Sequence, residues 1–62
     1  MTSKKHYVAV AELFKAAAAH NRSDTMALDV LDGIARGLGR IYQADNAAFD
    51  EDRFLKACDI GL

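Results

Sequence analysis

Residues 24–45 hold an apolar helical period through the stretch GIARGLGRI (33–41), although that stretch places glycine at 33, 37 and 39. At about 100° per residue, Val30, Ile41, Ile34, Ala27, Leu38, Leu31, Tyr42, Ala35 and Leu28 fall within one arc of about 160°. The phase is the same on both sides of the glycines. A loop at 33–39 would break it, because nothing would then tie the rotation of one half to that of the other. The segment is therefore read as one helix over about 24–45. The fold must bury its arc.

A second arc stands ready to meet it. SKKHYVAVAELFKAAAAH predicts a helix over 4–20, capped by Ser3 or Thr2. Leu13, Ala17, Val10, Phe14, Tyr7, Ala18 and Ala11 fill an arc of about 160°, with Lys4, Lys5, Glu12 and Lys15 outside it. HNRSD (20–24) breaks the chain, and Ser23 or Asp24 caps the next helix. ADNAAFDEDRFLKAC (44–58) predicts a third, short helix over 51–59, capped by Asp50. Phe49 before that cap and Phe54 four residues after it have the spacing of a hydrophobic staple. Gly61 stands where helices often stop. Proline is absent and alanine abundant, which favours helix throughout. The expected fold is all-α: an antiparallel helical hairpin with a short third helix folded across it, one domain over 1–62. The expected core is Tyr7, Val10, Phe14, Leu31, Ile34, Leu38, Phe49, Phe54 and Cys58.

A chain of 62 residues buries only about 60% of its unfolded surface, so that core is marginal. Domains this small usually gain stability from disulfides, a metal or a partner chain. Cys58 is the only cysteine, so no internal disulfide forms. Arcs as broad as these two exceed what one antiparallel contact needs. Together these points predict a homo-oligomer, a symmetric dimer being favoured. The lone thiol and the lack of a signal-like start predict a cytoplasmic protein. No apolar run approaches the ~20 residues of a membrane span. Charge alternates along the chain in short blocks, which reads as solvated helix faces that pair within the fold.

Most chemistry fails on spacing. The glycines lack the preceding strand, lysine and hydroxyl of a phosphate-binding loop. His6 and His20 lie about 21 Å apart along one helix and cannot share an ion. His20 suits the helix C-terminus, and His6 the edge of the core. Cys58, beside Phe54 and Leu55, reads as core rather than nucleophile. Capping accounts for Asp50, Glu51 and Asp52. The chain is thus expected to be no enzyme and to hold no metal or cofactor. Lys4, Lys5, Lys15, Arg22, Arg36 and Arg40 would make a basic patch only if the first two helices present them together. The net charge of −1 argues against a dedicated nucleic-acid binder.

The stretch DNAAFDEDRFLKAC (45–58) resembles a pattern in small helical proteins encoded by bacteriophages and prophage-bearing bacteria. Those proteins begin with a basic residue, an aromatic and an apolar helix, matched here by Lys5, His6 and Tyr7. They end in a Phe-Asp pair, then Arg-Phe-Leu, a small residue and cysteine. The matching positions are Phe49, Asp50, Arg53, Phe54, Leu55, Ala57 and Cys58. Ala47 or Ala48 stands where family members commonly have proline. The resemblance implies a phage or mobile-element setting, a bacterial host cytoplasm and a short accessory role. It implies no activity.

The glycines supply the remaining expectation. With Gly33 at 0°, the apolar arc spans about 60–220°, while Arg36, Asp29 and Arg40 fall at about 300°, 320° and 340°. Gly37, at about 40°, lies on the margin of the charged face and Gly39, at about 240°, just beyond the opposite edge of the arc, so the glycines are expected mostly outside the core. Either this surface is unoptimised, or another backbone approaches it between polar anchors. The second reading makes Gly33, Arg36, Gly37 and Arg40 an interaction face. The function expected is a non-enzymatic protein–protein interaction module that binds a host or phage protein and self-associates. The alternative is a small DNA-associated regulator using the basic residues.

Overall fold

The computed structural model describes residues 3–60. It contains α1 (Lys4–His20), α2 (Thr25–Asp45) and α3 (Glu51–Cys58), with no strand among the described residues. The fold is all-α, three helices packed on one another, as the periods require. The molecule measures 35 × 17 × 13 Å. At about 1.5 Å per residue, α1 and α2 both exceed its width and must run along its length.

One side chain sets each helix start. Ser3 Oγ accepts the His6 N–H at 3.4 Å, Asp24 Oδ1 that of Ala27 at 3.1 Å, and Asp50 Oδ1 that of Arg53 at 3.0 Å. The Asp24 and Asp50 bonds each satisfy an N–H that the first helical turn leaves without a carbonyl, while the His6 N–H is shared between Ser3 Oγ and the Ser3 carbonyl at 3.1 Å. Asp24 is thus a cap outside α2, not its first residue. Asp59 lies outside α3 for a related reason: it turns left-handed, at φ 47° and ψ 48°, and ends the helix. Aspartate is among the few non-glycine residues that tolerate this conformation. The expected stop at Gly61, and Thr2 as an alternative cap, lie outside the described residues.

Arg22 fastens the end of α3 to the α1–α2 connection. Its Nη1 donates to the Ile60 carbonyl at 2.8 Å and its Nη2 to that of Asp59 at 2.7 Å, with the Asp59 carboxylate 3.6 Å away. At the other end, His6 Nε2 and the Tyr42 hydroxyl share a hydrogen bond of 3.1 Å.

Between these ties lies an aromatic cluster. Tyr7 stands 4.5 Å from Phe49 and 4.7 Å from Tyr42, ring centre to ring centre. Phe49 and Phe54 are 5.6 Å apart, so the staple closes as its spacing predicts. Burial, and then the neighbouring Tyr7, push the Tyr42 phenol pKa up. Ala11, Phe14, Ala18, Leu28, Ala35, Cys58 and Ile60 complete the buried set, with Val10, Leu31, Leu38 and Leu55 half-buried against it. Burial pushes the Cys58 thiol up to about 11, which disfavours the thiolate a nucleophile needs.

Two expectations are corrected by the position of α3. Ile34, expected in the core, is exposed, as are Leu13, Val30 and Ile41 from the predicted arcs. The third helix packs on one side of the hairpin and draws the buried stripe of α2 to that side. Leu28, Ala35 and Tyr42 are therefore buried, and the opposite half of the arc is left open. Gly39, expected outside the core, is buried beneath the first turn of α3. A Cβ there would stand 3.0 Å from Glu51 Cγ.

Candidate interaction face

The uncovered half of the hairpin can be located from helix phase. On α2, Gly39 at about 240° faces α3, and Leu38 and Leu31 at about 140–160° turn toward α1. The side away from α3 therefore centres near 60°, where Gly37, Val30, Ile41 and Ile34 fall at about 40°, 60°, 80° and 100°. On α1, Lys4, Tyr7, Val8 and Ala11 border α3 across an open groove shared with Arg53, Phe54 and Ala57. With Leu13 set at 0°, those four α1 residues lie at about 120–220°, so Leu13 points to the opposite flank. Leu13, Val30, Ile34 and Ile41 thus share the face of the hairpin opposite α3. They are 70%, 61%, 52% and 63% exposed. Met26, also exposed, extends the stripe toward the start of α2.

The hairpin register puts Leu13 at the middle of this stripe. The connection joins His20 to Thr25, and His6 meets Tyr42. Leu13, halfway along α1, therefore stands level with residues 32–35 of α2. That level is also midway between Val30 and Ile41.

Gly33 and Gly37 border the stripe on its outer side. Both are exposed, and an added Cβ at either would meet nothing within 4 Å. Arg36 Nε donates to the Asp32 carboxylate at 2.9 Å, one turn back along the helix. That hydrogen bond, and then the Asp32 charge, push the Arg36 pKa up. Arg40 and Asp29 are exposed, with no ion pair among the described residues. Of the four residues singled out from sequence, Gly33, Gly37 and Arg40 border the apolar face, while Arg36, at about 300°, lies nearer α3, whose Glu51 also acts to raise its pKa. The centre of the face is Leu13, Val30, Ile34 and Ile41, all members of the predicted arcs, of which Ile34 is expected in the core. The breadth of the two arcs was the signal that could have found it.

The basic residues are not brought together. Lys4, Lys5 and Lys15 lie at about 180–280° on α1, along one long edge of the hairpin, and Arg36 and Arg40 lie along the other edge, on α2. Arg22 is engaged at the end of α3. Among the described residues no group of three His, Cys, Asp or Glu side chains could hold a metal ion, and no helix is long and apolar enough to cross a membrane. The open groove between α1 and α3, of about 390 Å³, is lined by Tyr7, Phe49 and Phe54 together with small, aliphatic and polar residues, Lys4, Asp50 and Arg53 among them. No family model matches the chain, and no curated protein or solved structure is significantly similar to it.

The open space above Gly33 and Gly37 fixes the sign of a substitution. Gly33→Ala and Gly37→Ala should each stabilise the isolated fold by up to about 1 kcal/mol, because alanine restricts the unfolded chain and suits a helix better. Urea unfolding followed by circular dichroism reads this. The same methyl groups should weaken association through the face, by holding a facing backbone away. Variants more stable than the parent that associate as tightly would leave the glycines as surface only.

Proposed function

We propose that the protein is a non-enzymatic interaction module working through the face of Leu13, Val30, Ile34 and Ile41, with a second copy of the chain as its occupant. The observation that carries this reading is four large aliphatic side chains, all more than half exposed, which helix phase puts on one side of the hairpin. Soluble monomers rarely leave a contiguous apolar patch of more than a few hundred Å² open to water. The chain exposes 4360 Å², against roughly 3950 Å² for a compact monomer of its mass. With Met26 the stripe offers on the order of 600 Å² per copy, which two copies double to the lower end of specific interfaces. Stacking two such hairpins gives a four-helix arrangement, a common way for small helical chains to complete a core.

The phage resemblance supports a setting in a bacterial host, where the dimer would act as an accessory protein and meet a host or phage protein through its remaining surface. Sedimentation equilibrium from low to high micromolar concentration tests the reading. A monomer–dimer equilibrium is expected, with a melting temperature that rises with concentration. A monomer throughout, melting at one temperature, overturns it.

A further inference from the structure

We infer that two copies meet face to face about an antiparallel two-fold axis near Ile34, so that Asp29 of each stands opposite Arg40 of the other. This rests on the reading of the face as self-associating and adds an arrangement to it. Three features of one copy share a level. The apolar stripe from Val30 to Ile41 is centred between Ala35 and Arg36. Asp29 and Arg40 are centred between Ile34 and Ala35. Leu13, the apolar residue that α1 contributes, stands level with residues 32–35. A single axis there therefore serves both helices and both charges.

The charges decide the direction. Asp29 and Arg40 lie on one flank of α2, at about 320° and 340°. Both are exposed and carry no ion pair among the described residues. Their neighbours Asp32 and Arg36 already bond each other. If α2 stacked parallel on its counterpart about a two-fold axis, the flanks of the two copies would lie on opposite sides and Asp29 and Arg40 would stay unpaired. An antiparallel stack keeps the same flank of both copies on the same side and exchanges the ends. Each aspartate then meets an arginine, and the pair forms twice, as an isologous interface requires. Gly33 and Gly37 fall beside the axis, where the two α2 backbones come closest. Glycine there lets those backbones approach.

Charge exchange tests the arrangement, with the intact chain in sedimentation equilibrium at low and moderate salt. Asp29→Arg and Arg40→Asp each replace two attractive contacts by two repulsive ones. Each should weaken dimerisation about tenfold, more at low salt, with helical content retained. The double variant Asp29→Arg/Arg40→Asp should restore the parent dissociation constant. Single variants that dimerise like the parent, or a double variant carrying the sum of both defects, overturn the antiparallel arrangement while leaving self-association standing. A parent chain that never dimerises removes the reading beneath it as well.

Discussion

Phe54→Ala should lower stability by about 3–5 kcal/mol, enough to leave the variant near its unfolding midpoint at room temperature. The ring is buried and is the main link between α3 and the rest of the fold. It lies 5.6 Å from Phe49 and 5.7 Å from Tyr42, and those two rings continue to Tyr7 on α1. Truncation therefore opens a cavity where all three helices meet. It cannot collapse easily, since α3 has only 8 residues and so short a helix has little stability of its own. A domain of this size begins with a small margin. Thermal and urea unfolding should be compared at one fixed protein concentration, because the proposed dimerisation would shift the midpoint. Phe54→Leu, which keeps most of the volume, should fold and lose much less. A Phe54→Ala chain melting within a degree or two of the parent would mean that α3 does not depend on this contact.

The features legible in the sequence are those decided within one or two turns of chain. Ser3, Asp24 and Asp50 cap because a short acceptor precedes a helical run. The period of α2 passes through its glycines because nothing local opposes it, and Phe49 and Phe54 meet because the staple is a contact across one cap. The part that was not legible depends on how α3 docks. Ile34 and Ala35 are neighbours in one predicted arc, yet one is exposed and the other buried. Gly33 and Gly39 are equally permissive to helix propensity, yet one faces open space and the other Glu51. Only the direction from which α3 approaches separates the members of each pair, and no residue of α2 encodes that direction by itself. The consequence falls on the aliphatic side of the arcs: Leu13, Val30, Ile34 and Ile41 all belong to them, Ile34 is expected in the core itself, and all four are exposed because α3 docks on the other side.

That centre carries the second large effect. Ile34→Glu should abolish dimerisation and leave a folded monomer. Ile34 is half-exposed in the single chain, so a carboxylate there keeps contact with water and the isolated fold loses little. In the proposed dimer it would sit beside the two-fold axis, and the substitution would be felt from both copies. Each buried carboxylate without a partner costs several kcal/mol, so two should weaken association by more than a hundredfold. Leu13→Glu should act alike, since Leu13 stands at the same level on α1. Val8→Glu separates a specific face from general surface apolarity. Val8 is 48% exposed, close to Ile34, but it borders the groove toward α3 on the other side of the hairpin. It should leave the dissociation constant unchanged. Sedimentation reads association, and circular dichroism at matched concentration reads the fold. If Ile34→Glu and Val8→Glu dimerise alike, exposure alone says nothing about where the copies meet. If only Ile34→Glu and Leu13→Glu dissociate, the open side of the hairpin is where this chain completes its core.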